Sequence, residues 1–428
     1  MPKKIFAKIL IKMKQDIDQL MKEQNIDALL VTGPAQHNPP MVYLTGGAHL
    51  TKADLIKKRG SDPVLFHYPM ERDEAVNTGL PTVNLTEYRL DEQRKKAGWD
   101  EIETNVERYR CMLGDTQVDS GRVAIFGQSD AGEAFAVFSR LQESLPGINF
   151  VGQVGESILL KAMSTKDEEE VERIRRMGRI TVEVVGKTAN YLTNHAVQDN
   201  LLLKEDGTHL TVGDVKRRIS MWLGELGADN PHGVIFATGR DAGIPHSGGE
   251  EGDLLRLGET IVFDIYPCEA GGGYHYDFTR TWCLGYAPDE VQTIYNDVLS
   301  VYKQIMGELR MGGLCKDYQE RTCELFEKQG HATIRSEPLT QEGYVHSLGH
   351  GLGLHVHEHP SFRSTGTNEH RLEPGVVVTI EPGLYYPERY MGVRLEDTVW
   401  VRPDGELEIL AEYPLDLVLQ MKGYHFTE

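Results

Sequence analysis

The chain has 428 residues, with 65 acidic against 45 basic side chains and a formal net charge of −20. That length exceeds the usual size of one domain, so two are expected, and 40% hydrophobic with 26% charged residues is a globular rather than a disordered composition. The acidic balance repels phosphate backbones and argues against a nucleic-acid partner, while no run of about 18 apolar residues offers a membrane span.

Lysines interrupt every apolar run of the opening MPKKIFAKILIKMKQDIDQL. That excludes the apolar stretch of a secretory signal and marks the start of an amphipathic helix over about 13–25. Residues 27–32 (DALLVT), 63–68 (PVLFHY) and 122–127 read as strands, with a helix over 131–145. This alternation predicts an α/β N-terminal domain over 1–160. The charged stretch 87–120 reads as a helical, surface-exposed excursion. At Thr165 the texture changes: Thr165-Lys166-Asp167-Glu168 fits a capping box, and apolar residues then recur at helical spacing, predicting a long helix over 166–192. It opens a second domain over 165–428. Helices are expected over 212–226, 288–309 and 315–330, and strands over 259–265, 276–284, 376–381 and 392–402. The second domain is therefore α+β with a curved, mainly antiparallel sheet. The five cysteines show no C-x-x-C, which argues against disulfides or a zinc ribbon and for a reducing, cytoplasmic setting.

Carboxylates recur on strand-like, otherwise apolar ground: Asp264 in V-F-D-I-Y-P, Asp277 in H-Y-D-F-T-R-T, Glu381 in V-T-I-E-P-G-L-Y and Glu396 in G-V-R-L-E-D. Between them runs H-S-L-G-H-G-L-G-L-H-V-H-E-H-P, from His346 to Pro360. A carboxylate in a buried strand must be paired, hydrogen-bonded or metal-bound. A lone one is usually a hydrogen-bonded residue, but four with a histidine-rich loop suggest a metal centre. Oxygen donors with imidazole suit Mn²⁺, Co²⁺, Fe²⁺ or Zn²⁺ better than Mg²⁺ or Ca²⁺. Five ligands exceed one tetrahedral zinc and suit two ions about 3.5–4 Å apart, with a hydroxide between them.

In these motifs, taken in order, the chain resembles the pita-bread metallopeptidases: aminopeptidase P, prolidase and, more distantly, methionine aminopeptidase. The resemblance covers about 165–428. The Y-L-T-G at 43–46 resembles the creatinase-like N-terminal domain of the prolidase branch. It implies that Asp264 binds one metal, that Asp277 and Glu396 bridge two, and that His350 and Glu381 complete the second. It implies Glu381 as the proton carrier, His357 as the imidazole steadying the tetrahedral intermediate, His246 as a substrate contact, and Arg394 and His346 as supports. The expected activity is cleavage of an Xaa-Pro bond in peptides or dipeptides by a metal-bridging hydroxide, with two divalent ions, Mn²⁺ first among them. A homodimer is implied with it.

The chain departs from this pattern in one place. The spacing from Asp264 to Asp277 is about two residues wider than in the best-known prolidases, and it holds Glu269-Ala270-Gly271-Gly272-Gly273, read as a longer hairpin turn. His355 and His359 read as loop residues rather than as ligands of a third ion, and Cys268 as a packed thiol. Two other readings stay open: a relative acting on a small non-peptide, lyase-like or creatinase-like, and a non-catalytic binding protein.

Overall fold

The computed structural model describes residues 15–364 and 366–422. They fall into two compact units, the first running to Met163 and including Gly271–Gly273, the second beginning at Ser164.

The first unit is built on a six-stranded sheet in the order Thr82–Asn84, Val64–His67, Ala53–Lys58, Ala28–Gly33, Gly121–Gly127, Ile148–Val151. Ala28–Gly33 pairs antiparallel with Ala53–Lys58 and parallel with Gly121–Gly127. Helix Ala131–Ser144 begins where Asp130 accepts the N–H groups of Gly132 and Glu133. The first helix is Gln15–Glu23; the part expected over 13–14, like the rest of 1–14, lies outside the described residues. The stretch 87–120 is helical but not merely a surface excursion. Its helix Glu101–Asp115 buries Val106, Arg108, Tyr109, Met112 and Leu113 in the unit's core.

In the second unit the long helix is Glu168–Thr193, and its capping box is Asp167 with Glu170 rather than Thr165 with Glu168. Thr165 is in a bridge with Val376, and Lys166 is buried, so neither is free to cap. Helices Val212–Glu225, Asp289–Glu308 and Cys315–Lys328 follow. One sheet runs Val234–Thr238, Thr260–Ile265, Phe278–Leu284, Val418–Leu419, antiparallel except at its last pair. A second, all antiparallel, runs Glu358–Ser361, His350–Gly351, Val377–Ile380, Asp397–Val401, Leu407–Ile409. The single strand expected over 392–402 is two: Met391–Arg394 pairs with Gly383–Tyr386, and Asp397–Val401 joins the five-stranded sheet. At the break, Glu396 bridges instead to Thr279 of the first sheet.

The connection from Asp264 to Asp277 is more than a longer turn. It contains Cys268–Glu269, which pairs with Ala228–Asp229, and Glu269 is held by Arg173 at 2.6 Å. Among the described residues no cysteine is in a disulfide. Among the described residues, no helix is long and apolar enough to cross a membrane.

Candidate metal centre

The strand Thr260–Ile265 is buried along its whole length. Its alternation puts Phe263 against Phe236 and Trp282, with ring centroids 5.4 and 5.6 Å away, and turns Asp264 to the opposite face. Asp277 ends the Asp264–Asp277 connection, immediately before Phe278–Leu284. Glu381 follows Val377–Ile380, and its N–H is fixed to Leu348 O at 2.8 Å. His350 opens its own short strand, its N–H held by Thr379 Oγ1 at 3.1 Å.

The structure brings ligand atoms of Asp277, His350 and Glu396 within 4.8 Å of one another. Glu381 Oε1 and Asp277 Oδ2 each lie 3.6 Å from His350 Nε2. Asp264 completes the set, its Oδ2 accepting from Arg394 Nη2 at 2.6 Å. His350 donates from Nδ1 to Gly351 O at 3.0 Å, which leaves Nε2 as the lone-pair nitrogen, facing two carboxylates. A lone pair set against carboxylate oxygens at that distance makes no hydrogen bond. Burial and the neighbouring His357 hold this imidazole down, to about 3.

The carboxylates show the same strain. Burial, with the charges of Asp264 and Glu381, pushes Asp277 well above the usual carboxylate range. Burial and Asp277 do the same to Glu396, and burial moves Glu381 up to about 8. Asp264 Oδ1 and Asp277 Oδ1 are buried without a hydrogen-bond partner. Four carboxylates meet one guanidinium here, an excess of negative charge that needs a further cation. The donor set therefore fits divalent ions, and these five side chains are the ones that could hold them.

A layer of side chains behind the five fixes them. Thr279 Oγ1 donates to Glu396 Oε2 at 2.6 Å and accepts from Arg394 Nε at 3.2 Å. Arg394 also donates to Tyr385 Oη at 2.8 Å and Pro245 O at 3.2 Å, and Tyr385 Oη lies 2.8 Å from His346 Nε2. Arg280 spends all five N–H groups on Pro414 O, Thr279 O, Glu396 O, Tyr413 O and Asp397 Oδ1, while Tyr302 Oη donates to Asp397 Oδ2. Gln319 Oε1 accepts from Leu348 N–H at 2.6 Å and so pins the loop leading to His350. Thr279, Arg280 and Asp397 sit inside motifs already singled out, where a polar residue in an apolar strand was the available signal. Gln319, on a helix remote in sequence, gave none.

Of the remaining expected residues, Arg394 and His346 lie within this network. His357 is exposed, its ring 4.3 Å from that of His350. His246 is also exposed, and its charge bears on both His346 and His357. His359 packs against His370, ring centroids 4.6 Å apart, and His355 donates its N–H to Glu358.

The chain is similar along nearly its whole length to uncharacterised peptidases of staphylococci. With one from Staphylococcus epidermidis it shares 26% identity over 407 residues, 93% of this chain and 98% of that one. With one from Staphylococcus aureus it shares 27% over 410 residues, 94% and 99% of the two chains. Among solved structures it is similar to a dipeptidase from Pyrococcus horikoshii, with a TM-score of 0.71 and 25% identity over 95% of this chain and 99% of that one. The X-Pro aminopeptidase of Thermotoga maritima shares its fold at a TM-score of 0.70 and 22% identity, over 92% and 97% of the two chains. So does the Xaa-Pro dipeptidase of Bacillus anthracis, at 0.72 and 19%, over 96% and 99%. Residues 172–403, more than half of the chain, match metallopeptidase family M24, and with its mainly antiparallel pita-bread second unit and its buried carboxylate–imidazole centre the chain belongs to that family.

Proposed function

We propose that this metallopeptidase uses two divalent ions to hydrolyse the Xaa-Pro bond of peptides or dipeptides. The observation that carries the reading is the lone-pair nitrogen of His350 facing Asp277 and Glu381, among four carboxylates, three of them buried, beside the one guanidinium of Arg394. Asp264, Asp277, His350, Glu381 and Glu396 would hold the ions, Mn²⁺ first among the candidates. When bound, the ions supply Lewis acidity and lower the pKa of water toward neutrality.

The chain's own groups do the rest. Glu381 accepts a proton at its carboxylate and returns it to the proline nitrogen as that leaves; burial raises its affinity for that proton. The exposed His357 imidazole is placed to donate to the oxyanion as charge develops on the carbonyl. His246 contacts the substrate. Arg394 keeps Asp264 oriented through Oδ2 and leaves Oδ1 without a hydrogen-bond partner. Proline specificity draws support from the X-Pro aminopeptidase of Thermotoga and the Xaa-Pro dipeptidase of Bacillus, whose fold this chain shares. The extra strand pairing in the Asp264–Asp277 connection favours one second reading, a small non-peptide substrate on the same centre.

The test is a metal titration of purified protein against Xaa-Pro dipeptides, longer Xaa-Pro peptides and small betaine-like compounds. The expected outcome is Xaa-Pro cleavage that rises with added Mn²⁺ and is abolished in Glu381→Ala. A metal-loaded Glu381→Ala protein of near-normal rate refutes the role of Glu381, and turnover of the betaine-like compounds alone moves the assignment to the second reading.

A further inference from the structure

Lys166 and Glu358 stand 192 residues apart in sequence and meet at 2.7 Å, with side chains 1% and 0% exposed. Lys166 Nζ also donates to Ser164 O at 3.3 Å, and its backbone N–H to Gly375 O at 2.8 Å. An ion pair this dry is a weak stabilising device, because removing two charges from water costs about what their attraction returns. Its geometry points to another use. The second oxygen of Glu358, Oε1, accepts the N–H of His355 at 3.0 Å and closes the His355–Glu358 turn. Gly353 donates its N–H to His355 O at 3.1 Å, and a Cβ at Gly353 would stand 2.5 Å from Glu358 Oε2. His357 sits inside that turn, between the residue whose N–H is captured and the residue that captures it.

We propose that Lys166 and Glu358 are positioning residues: the lysine orients the buried carboxylate, the carboxylate closes the turn, and the turn presents His357 to the substrate beside His350. This rests on the role given to His357 above. Neither residue touches substrate. Their effect is transmitted entirely through where the His357 ring stands.

The experiment has two arms. Kinetically, Lys166→Met lowers kcat by about 10–100-fold, the range usual for residues that support a site, while KM stays near that of the parent. The charge-balanced pair Lys166→Met/Glu358→Gln regains most of the rate, because the amide oxygen still accepts from His355 and no lone charge is left buried. In a His357→Ala background neither substitution has a further effect on kcat. Structurally, Glu358→Gln, which keeps shape and folding, shifts the His357 ring resonance in ¹H–¹³C spectra of histidine-labelled, Zn²⁺-loaded protein; that resonance is assigned by its loss in His357→Ala. An unmoved resonance, or a loss of kcat that persists undiminished in His357→Ala, overturns the positioning role. A moved resonance with His357→Ala fully active supports the positioning and counts instead against the function assigned to His357.

Discussion

Thr279 is fully buried, and its hydroxyl serves two charged groups at once, donating to Glu396 and accepting from Arg394. Thr279→Val keeps the shape and the strand pairing, in which Glu396 N–H still reaches Thr279 O at 3.1 Å. The substitution deletes two hydrogen bonds to charged partners, worth about 1.5–3 kcal/mol each. The added methyl returns about 0.8 kcal/mol of burial. The net loss is roughly 2–5 kcal/mol, which for a chain of this size lowers Tm by roughly 2–6 °C. Because the freed Glu396 carboxylate is one of the five proposed ligands, kcat/KM should fall about 10–100-fold as well. Scanning calorimetry on metal-loaded protein, with Xaa-Pro kinetics on the same sample, measures both. A Tm within about 1 °C of the parent, with unchanged kinetics, refutes the view that this hydroxyl holds the centre together.

Gly349→Ala would place a Cβ 2.0 Å from Thr379 O, a clash with backbone. We expect at least about 1–3 kcal/mol of destabilisation together with loss of bound metal, read by thermal melting and elemental analysis. Burial holds the His275 imidazole down to about 4 against an ordinary 6.5. Between those values the folded chain binds fewer protons than the unfolded one, so this contribution is intact above 6.5 and is lost as pH falls toward 4, by about 3 kcal/mol in full. His275→Gln carries no such proton, so its urea midpoint should drop less than the parent's between about pH 7 and pH 4.5; equal drops refute this. Chelation should lower Tm and Mn²⁺ should restore it, a difference of about 2.7 kcal/mol when the ion stands at a hundred times its Kd.

How far the sequence could be read depended on where each residue's partner lay. The strand Thr260–Ile265 and the helix Glu168–Thr193 carry their pattern locally, and both were legible. The strand Ala53–Lys58 was not, because Asp54, Lys57 and Lys58 interrupt the apolar pattern of ADLIKK. It lies inside the first unit's sheet because Asp54 finds Arg108 at 2.8 Å and Lys57 finds Asp18 at 2.6 Å. The same pairing hid the buried face of Glu101–Asp115: Arg108 and Tyr109 looked exposed until Asp54, which both of them bind from 54 and 55 positions away, came into view. The five candidate ligands were recognisable as carboxylates and a histidine on apolar ground. The break that turns Glu396 toward Thr279 was not, since G-V-R-L-E-D-T-V-W-V alternates as smoothly as one strand. Nor was the registration of the helix cap at Asp167, which depends on Lys166 having been drawn inward by Glu358.

Gly349, Gly351 and Gly353 alternate through the loop that carries His350, and each is blocked by a different neighbour. A side chain would meet Thr379 O at 2.0 Å, His359 O at 2.0 Å and the Glu358 carboxylate at 2.5 Å respectively. At Gly349 and Gly351 the obstacle is backbone, which no substitution elsewhere can make smaller, and at Gly353 it is the buried Glu358 carboxylate, so a side chain there would need a second change at Glu358. Any drift in what this enzyme accepts is channelled away from the loop, toward segments whose side chains can vary one at a time. In the Asp264–Asp277 connection only Tyr266, Glu269 and Ala270 carry side chains that are not buried, and directed evolution aimed at new substrates should begin at those three positions rather than among the glycines.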